Sequence, residues 1–291
     1  MIEQSSNPLR TIPTRRISFE ETLVDLPRHF AKDGDLLRSH LAAALSAMFP
    51  DGEDYFVRSV RHYRKQIQDP ALKQQVNGFI GQEAMHGREH REFNARLAEL
   101  GYPTQKIEKM IRFGLEARTK YAPASANLAL TAALEHFTAT LAENLLSNEE
   151  MSAEFGHEGV RHLFQWHALE ESEHKAVAFD VYKAVGAPEW LRVWTMKVLR
   201  PGFVAFTAVH VLVSALMDPA GRKRGAIRKS WKGLKRSPLL SKELWAQLKE
   251  YDRADFHPND RDTTELEARW RGILFGDEGE LNDLLTAAPA A

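Results

Sequence analysis

The sequence of 291 residues contains no cysteine. This absence excludes disulfides, thiolate nucleophiles and metal centres held by cysteine, so any metal must be bound by histidine and carboxylate side chains. A net charge of -1 gives no global attraction to nucleic acid or to an anionic membrane. The first residues also lack the apolar run of a secretory signal, so we expect a cytoplasmic protein that does not bind nucleic acid.

Alternating patterns typical of β-strands are scarce as well, and most of the chain has helical periodicity. The run "LLRSHLAAALSAMF" predicts a short helix that ends at Pro50, and Asp51 is a candidate cap for the next one. Four long helices are predicted between residues 51 and 186, the last of them continuing to Gly186. We therefore predict an all-α protein built on a helical bundle.

One short stretch carries possible metal ligands. In "GQEAMHGREH" the side chains of Glu83, His86 and His90 fall on one helical face, because they are three and four residues apart. With only 12 histidines in the chain, about one Glu-x-x-His pair is expected by chance. The pair Glu154-x-x-His157 lies beside a glycine and is interpreted as that chance match.

A second stretch repeats the pattern. In "WHALEESEH" the side chains of His167, Glu171 and His174 again share one face. Glu170 competes with Glu171 as the acidic partner of His174, and we favour Glu171. The repetition indicates two metal-binding faces on two different helices.

The other two long helices each offer one carboxylate. Glu135 lies in an apolar run where an unpaired charge would be costly, and a metal ion would compensate it. Glu53 is the weaker candidate, because it is expected in a first turn, where acidic residues are common. Glu, Glu-x-x-His, Glu and Glu-x-x-His from four helices form the ligand set of ferritin-like di-iron and di-manganese proteins.

These patterns together give the predicted site. The predicted metal ligands are Glu53, Glu83, His86, His90, Glu135, His167, Glu171 and His174. His90 and His167 could instead support other ligands. The predicted catalytic residues are Glu83, Glu135, Glu171 and Thr138, the last as a hydrogen-bond donor. Two divalent ions are expected, iron first and manganese or zinc as alternatives.

The motifs resemble a known family. "FPDGEDYF", "QEAMHGREHREFN", "LEHFTA", "WHALEESEHKAVAFDVY" and "FHPND" are similar to the bacterial family labelled "predicted metal-dependent hydrolase", over roughly residues 35 to 265. The resemblance implies a ferritin-like four-helix bundle with additional C-terminal helices. It also implies metal ligation by the Glu and His residues already named. The expected division is an N-terminal extension at 1–35, the bundle at 36–190, a C-terminal helical region at 191–275 and a flexible tail at 276–291.

Several functions are compatible with such a site. The first expectation is an oxygen-dependent di-iron oxidase or oxygenase that acts on a small or lipophilic substrate, with an electron-donor protein as partner. The alternatives are a di-metal hydrolase that uses a metal-bound hydroxide, and a non-catalytic metal-binding or ferroxidase protein. A bundle without metal is the remaining reading.

A separate feature lies beyond the bundle. The stretch 203–217 is the most apolar of the chain, and eight Lys and Arg residues follow it between Arg222 and Arg236 without an acidic residue. Residues 203–236 could make a peripheral membrane contact. The favoured reading is a core or homodimer-interface helix that is followed by a solvated basic loop.

Overall fold

The computed structural model describes residues 11–287. This part of the chain contains helices and no β-strand, apart from an isolated bridge between Ile17 and Leu285. The all-α prediction is therefore confirmed. The helices are α1 (Leu36–Tyr63), α2 (Pro70–Glu99), α3 (Thr104–Tyr121), α4 (Ala124–Ser147), α5 (Glu149–Ser152), α6 (Glu158–His174), α7 (Val177–Ala184), α8 (Glu189–Met217), α9 (Ala226–Leu234), α10 (Lys242–Glu250) and α11 (Thr264–Phe275).

The predicted helix end at Pro50 is wrong. Helix α1 runs without interruption through this residue. A proline inside a helix leaves the carbonyl four residues earlier without its N–H partner. Here that carbonyl belongs to Ser46, and the side-chain Nδ2 of Asn94 on α2 donates to it at 3.1 Å. A hydrogen bond from the neighbouring helix thus replaces the one that Pro50 removes.

The helix predicted to reach Gly186 is divided into two. Helix α6 ends at His174, and α7 begins at Val177 after a short turn. In that turn the buried ammonium group of Lys175 donates to the carbonyl of Arg261 and to the hydroxyl of Thr263. The turn therefore connects the end of α6 to the C-terminal part of the chain.

The segment before α1 packs on the bundle. Ile17 and Phe19 are fully buried, and the N–H of Phe19 donates to Glu89 on α2. Gly81 on α2 permits this approach, because a Cβ atom there would lie 2.0 Å from Oγ1 of Thr14. The described part of the predicted extension, residues 11–35, thus covers one side of α2.

Helices α8 and α10 both pack against α4. On length and composition, α8 is the one helix of residues 11–287 that could cross a membrane, a test that core helices of soluble proteins also pass. The predicted flexible tail contains Leu281, which is buried, and Thr286, whose N–H donates to the carbonyl of Arg16. Residues 288–291 of that tail lie outside the described part.

Candidate metal centre

Four helices place one carboxylate each at the same point inside the bundle. Glu53 on α1, Glu83 on α2, Glu135 on α4 and Glu171 on α6 all expose 3% or less of their surface. Glu53 does not lie in a first turn as expected, because α1 begins 17 residues before it, at Leu36. The helix dipole acts on the terminal turns, so it does not explain the presence of an acidic residue at this mid-helix position.

Three histidines turn a ring nitrogen toward these carboxylates. Nε2 of His174 lies 3.1 Å from Oε1 of Glu83 and 3.5 Å from Oε2 of Glu135. Nε2 of His167 lies 3.0 Å from Oε1 of Glu171. Nδ1 of His86 lies 3.8 Å from a carboxylate oxygen of each of Glu83 and Glu171.

The side chains form two adjacent groups. Glu53, His86 and His167 each offer a ligand atom within 4.8 Å of the others, and Glu83, Glu171 and His174 do the same. Glu171 lies between the groups, because Oε1 faces His167 while Oε2 is 3.7 Å from Nε2 of His174. Such an arrangement suits two ions that share carboxylates.

Eight buried polar atoms of this site have no hydrogen-bond partner among the described residues. They are both carboxylate oxygens of Glu53, Glu83 and Glu135, Nδ1 of His86 and Nε2 of His174. Leaving one such atom unpaired costs about 1–3 kcal/mol, and more for a charged group. All eight are oxygen or imidazole nitrogen, which are ligand types of divalent iron, manganese and zinc. The residues therefore fit divalent metal ions.

The electrostatics of the carboxylates lead to the same conclusion. Burial raises the pKa of Glu53 and Glu135 well above the usual range, and the charges of Glu83 and Glu171 raise both further. Burial alone would also raise the pKa of Glu171, but the neighbouring His174 and His167 hold it well below its usual range. Four carboxylates cannot all be ionised here without added positive charge, and divalent cations would supply it.

The tautomers of His86 and His174 are set by contacts on the side of each ring that faces away from the carboxylates. Nε2 of His86 contacts Oε2 of Glu170 at 3.0 Å, and Nδ1 of His174 contacts Oε1 of Gln82 at 2.8 Å. The amide oxygen of Gln82 can only accept, and the oxygen of Glu170 accepts when that carboxyl group is ionised, so in this state the contacting nitrogen carries the proton. The other nitrogen of each ring, which faces the carboxylates, is then an unprotonated ligand atom when the imidazole is neutral.

A longer chain of hydrogen bonds orients His167. The amide of Asn94 is fixed by its donation to the carbonyl of Ser46, so its oxygen accepts from the Ser46 hydroxyl at 2.6 Å. The Ser46 oxygen therefore accepts from Nδ1 of His90 at 2.9 Å, and Nε2 of His90 accepts from Nδ1 of His167 at 2.7 Å. When the rings are neutral, Nε2 of His167 is the unprotonated nitrogen, and it faces Glu53 and Glu171. His90 thus uses both nitrogens away from the centre.

Sequence reasoning missed most of these supporting residues. Glu170 was considered only as a competing ligand, and Gln82 was not considered at all. Arg15, which lies before the bundle, donates to Glu170 at 2.8 Å and to Glu173 at 2.7 Å. The available signal was position, because Gln82 and Glu170 each directly precede the glutamate of a Glu-x-x-His motif.

A small cavity of about 90 Å³ reaches the centre from one side. His167, Glu171 and Thr138 line its inner end. The hydroxyl of Thr138 donates to Oε2 of Glu171 and is 3.1 Å from the carbonyl of Glu135. Thr138 therefore lies at the boundary between the small cavity and Glu171.

A third group of possible ligands lies outside the bundle centre. His29, His40 and Asp218 also come within 4.8 Å of one another. The carboxylate of Asp218 already accepts from Arg28 at 2.8 Å, and the side chain of Arg28 would repel a cation. Asp218 is thus already neutralised by an ion pair with Arg28, which makes this group a weaker candidate for a metal site than the bundle centre.

The comparison with protein families agrees with the centre. A family model described as "predicted metal-dependent hydrolase" matches residues 13–262. The chain belongs to this family. The match spans all four helices of the centre as well as α8, α9 and α10, so family membership includes the region beyond the bundle. Neither the curated proteins nor the solved structures include a match to the chain.

Proposed function

We propose that the chain is a hydrolase that uses two divalent metal ions held between α1, α2, α4 and α6. Glu53, His86 and His167 would hold one ion, and Glu83, Glu171 and His174 the other, with Glu135 beside His174. The observation that carries the proposal is the set of eight buried, unpartnered ligand atoms, all directed into one site. The family description supplies the reaction class.

A hydrolase is favoured here over the oxygen-dependent oxidase or oxygenase that is the first expectation from the sequence. The ligand set alone suits both reactions, since carboxylate and imidazole ligands bind iron, manganese and zinc. The family description favours the hydrolase, and no observation on the described residues favours oxygen chemistry. Oxygen consumption by the Fe²⁺-loaded protein therefore has to be measured beside hydrolysis.

Different glutamates of the centre would hold the ions and accept the proton. Bound divalent ions would lower the pKa of water and so supply a hydroxide nucleophile near neutral pH. Glu83 and Glu171 lie between the two groups and would keep the ions close by neutralising their repulsion. Glu135 has both oxygens unpaired and would accept the proton that the water loses.

Substrate would arrive at the end of the small cavity. Of the predicted catalytic residues, Thr138 and Glu171 line it. The hydroxyl of Thr138 is within reach of Glu171 and would turn to donate to the oxygen of a substrate carbonyl. The walls beyond are mostly Leu, Ala and Phe, which would exclude bulk water from the reacting group.

The test is metal-dependent hydrolysis by the full chain. Metal-free protein should be loaded separately with Mn²⁺, Zn²⁺ and anaerobic Fe²⁺, and assayed on p-nitrophenyl esters and anilides. We expect hydrolysis that needs metal and falls at least about 100-fold in Glu135→Gln. The matched control is His157→Ala in the third Glu-x-x-His pair, which lies outside the centre and should retain full activity.

Two results would overturn the proposal. Protein that binds the ions but hydrolyses no ester or amide, and instead consumes oxygen with Fe²⁺, would restore the oxidase reading. Protein that binds no ion would exclude every metal-dependent reaction at this site.

A further inference from the structure

A large apolar cavity lies next to the metal centre, on the side of α8, α9 and α10. Its volume is about 460 Å³, within the range of about 300–1,000 Å³ that is typical of small-molecule sites. No charged side chain of the described residues lines it. The polar side-chain groups in its wall are the hydroxyl of Thr207 and the indoles of Trp231 and Trp245. We call this space the outer chamber.

The outer chamber adjoins the small cavity at the metal centre. Leu41, Leu45, Leu141 and Leu239 line both spaces and form their common wall. All four leucines are half-buried, so rotation of their side chains can join the two spaces without unfolding a helix. The joined cavity then extends from His167, Glu171 and Thr138 into the outer chamber, which is lined by apolar side chains.

The chamber also reaches the surface. Four of its lining residues are large and exposed: Val204, Leu212, Trp231 and Leu240. Val204 and Leu212 belong to α8, and Trp231 belongs to α9. The mouth therefore opens beside these two helices, while the inner end points at the metal centre.

We propose that the outer chamber binds a long hydrocarbon chain and that the substrate is an ester or amide of a long-chain acyl group. This rests on the proposed hydrolase function. Water adds through its oxygen to the acyl carbon, the C–O or C–N bond breaks, and the leaving alcohol or amine takes up a proton. The acyl carbon lies at Glu171 and Thr138, and the chain extends past the four leucines into the chamber.

Chain-length dependence tests this assignment. For p-nitrophenyl esters from acetate to hexadecanoate, kcat/KM should rise by up to about fourfold for each methylene that enters the chamber. Leu141→Trp fills the common wall. It should abolish the gain from long chains, so that the ratio of kcat/KM for hexadecanoate to kcat/KM for acetate falls to about one. Leu130→Trp, on the same helix α4 and half-buried but outside both cavities, should keep the long-chain preference.

A binding measurement separates this proposal from the proposed function. Radiolabelled palmitate should bind the full chain in equilibrium dialysis, and Leu141→Trp should weaken that binding at least about tenfold. Palmitate binding without hydrolysis of any ester would support acyl-chain binding in the outer chamber and contradict the proposed hydrolase function. Hydrolysis without chain-length preference and without palmitate binding would support the hydrolase function and contradict acyl-chain binding in the outer chamber.

A different observation concerns the outer face of α8. One side of the helix is fixed to the protein, because Arg192 donates to the carbonyls of Tyr251 and Arg253, and Arg200 to that of Leu248. The opposite side exposes large apolar residues along its whole length. These are Trp190, Trp194, Val198, Val204, Val209, Leu212, Val213, Leu216 and Met217. Two buried, hydrogen-bonded arginines favour a helix that lies along a surface over one that spans a bilayer.

Positive charge borders this apolar face. The eight Lys and Arg residues between Arg222 and Arg236 are all exposed, and no acidic residue lies among them. Helix α9 turns Ile227 and Leu234 toward the outer chamber and Lys229 and Lys232 toward solvent. We propose that α8 and α9 dock on an anionic lipid bilayer, because an exposed aromatic and aliphatic face beside clustered cations complements such a surface.

Vesicle co-sedimentation tests the docking. The full chain should bind vesicles of phosphatidylcholine mixed with phosphatidylglycerol more tightly than vesicles of phosphatidylcholine alone. The double variant Lys229→Gln/Lys232→Gln should lose about fivefold in affinity per cation removed. The control Lys106→Gln/Lys109→Gln removes two exposed cations from α3 and should bind as the unmodified chain does. Equal binding to both vesicle types, or a stable dimer that Trp194→Ser dissociates and that binds no vesicle, would overturn the proposal.

Discussion

The two Glu-x-x-His motifs of α2 and α6 support each other in the same way. The residue that precedes the glutamate on one helix contacts the histidine on the other: Glu170 contacts His86, and Gln82 contacts His174. The supporting contact of each histidine therefore comes from the helix that carries the other motif. Neither half can be built from one helix alone.

The two supporting groups differ in chemical type, because one is a carboxyl group and the other is an amide. Glu170 is fully buried and lies against Arg15, whereas Gln82 is a neutral amide that donates to Glu173 and to the carbonyl of Pro13. Burial raises the pKa of Glu170 to about 8, although Arg15 opposes the shift. When Glu170 is ionised, its carboxylate makes the other nitrogen of His86 a more basic metal ligand than the Gln82 amide makes that of His174. The difference predicts that the two proposed metal positions differ in affinity although their ligands are similar.

Removing either histidine should have the largest effect. His86→Ala or His174→Ala deletes a ligand from one half together with the contact that this ligand makes with the other helix. We expect each variant to lose at least one bound ion per chain and more than about 100-fold in hydrolysis. Metal content after dialysis measures the loss. If either variant keeps both ions at unchanged affinity, the two motifs do not form a pair.

Changing the supporting groups should have the next largest effect. Glu170→Gln places an amide behind His86, as Gln82 already does behind His174. It should lower the affinity of the ion at His86 by about 10–100-fold. Gln82→Met removes a neutral partner and should cost less than about tenfold at the ion on His174. Competition with a metal indicator measures both. Equal losses in the two variants would show that the charge of Glu170 makes no difference.

His90 should matter less than either supporting group. It contacts His167 rather than the centre, so His90→Gln should leave two ions bound at saturation and weaken one of them by less than about tenfold. The loss of one ion under saturating metal would instead make His90 a direct ligand. Ser46→Ala interrupts the same chain of hydrogen bonds one residue further out and is expected to have a smaller effect in the same direction.

Thr138→Val should have the smallest effect on metal binding. The variant removes one hydrogen bond to Glu171, which is worth about 1 kcal/mol, or about fivefold in kcat/KM if it acts on the reaction. Metal affinity should change by less than about threefold. A drop in metal content with unchanged kcat/KM per bound ion would make Thr138 a purely structural residue.

The ligand pattern was visible in the sequence because it is local. A helix fixes the spacing of Glu83 and His86, and of Glu171 and His174, so each motif can be recognised without a tertiary structure. Glu135 was recognisable because a charge in an apolar run needs a partner. The structure brings these residues together with Glu53 and His167.

The remaining features depend on contacts between distant segments. The continuity of α1 through Pro50 needs Asn94, which is 44 residues further along the chain. The orientation of His86 needs Glu170, and Glu170 needs Arg15 from the segment before the bundle. The outer chamber exists only where α8, α9 and α10 pack against α1 and α4. No spacing rule within one helix predicts such pairings.

The central claim is that two ions lie at two defined groups inside the bundle. Anomalous diffraction from crystals of the full chain loaded with Mn²⁺ or Zn²⁺ tests it most directly. The structure predicts two peaks a few Å apart, one bound by Glu53, His86 and His167 and the other by Glu83, Glu171 and His174. A single peak, no peak in the bundle, or a peak at His29, His40 and Asp218 instead would contradict the account.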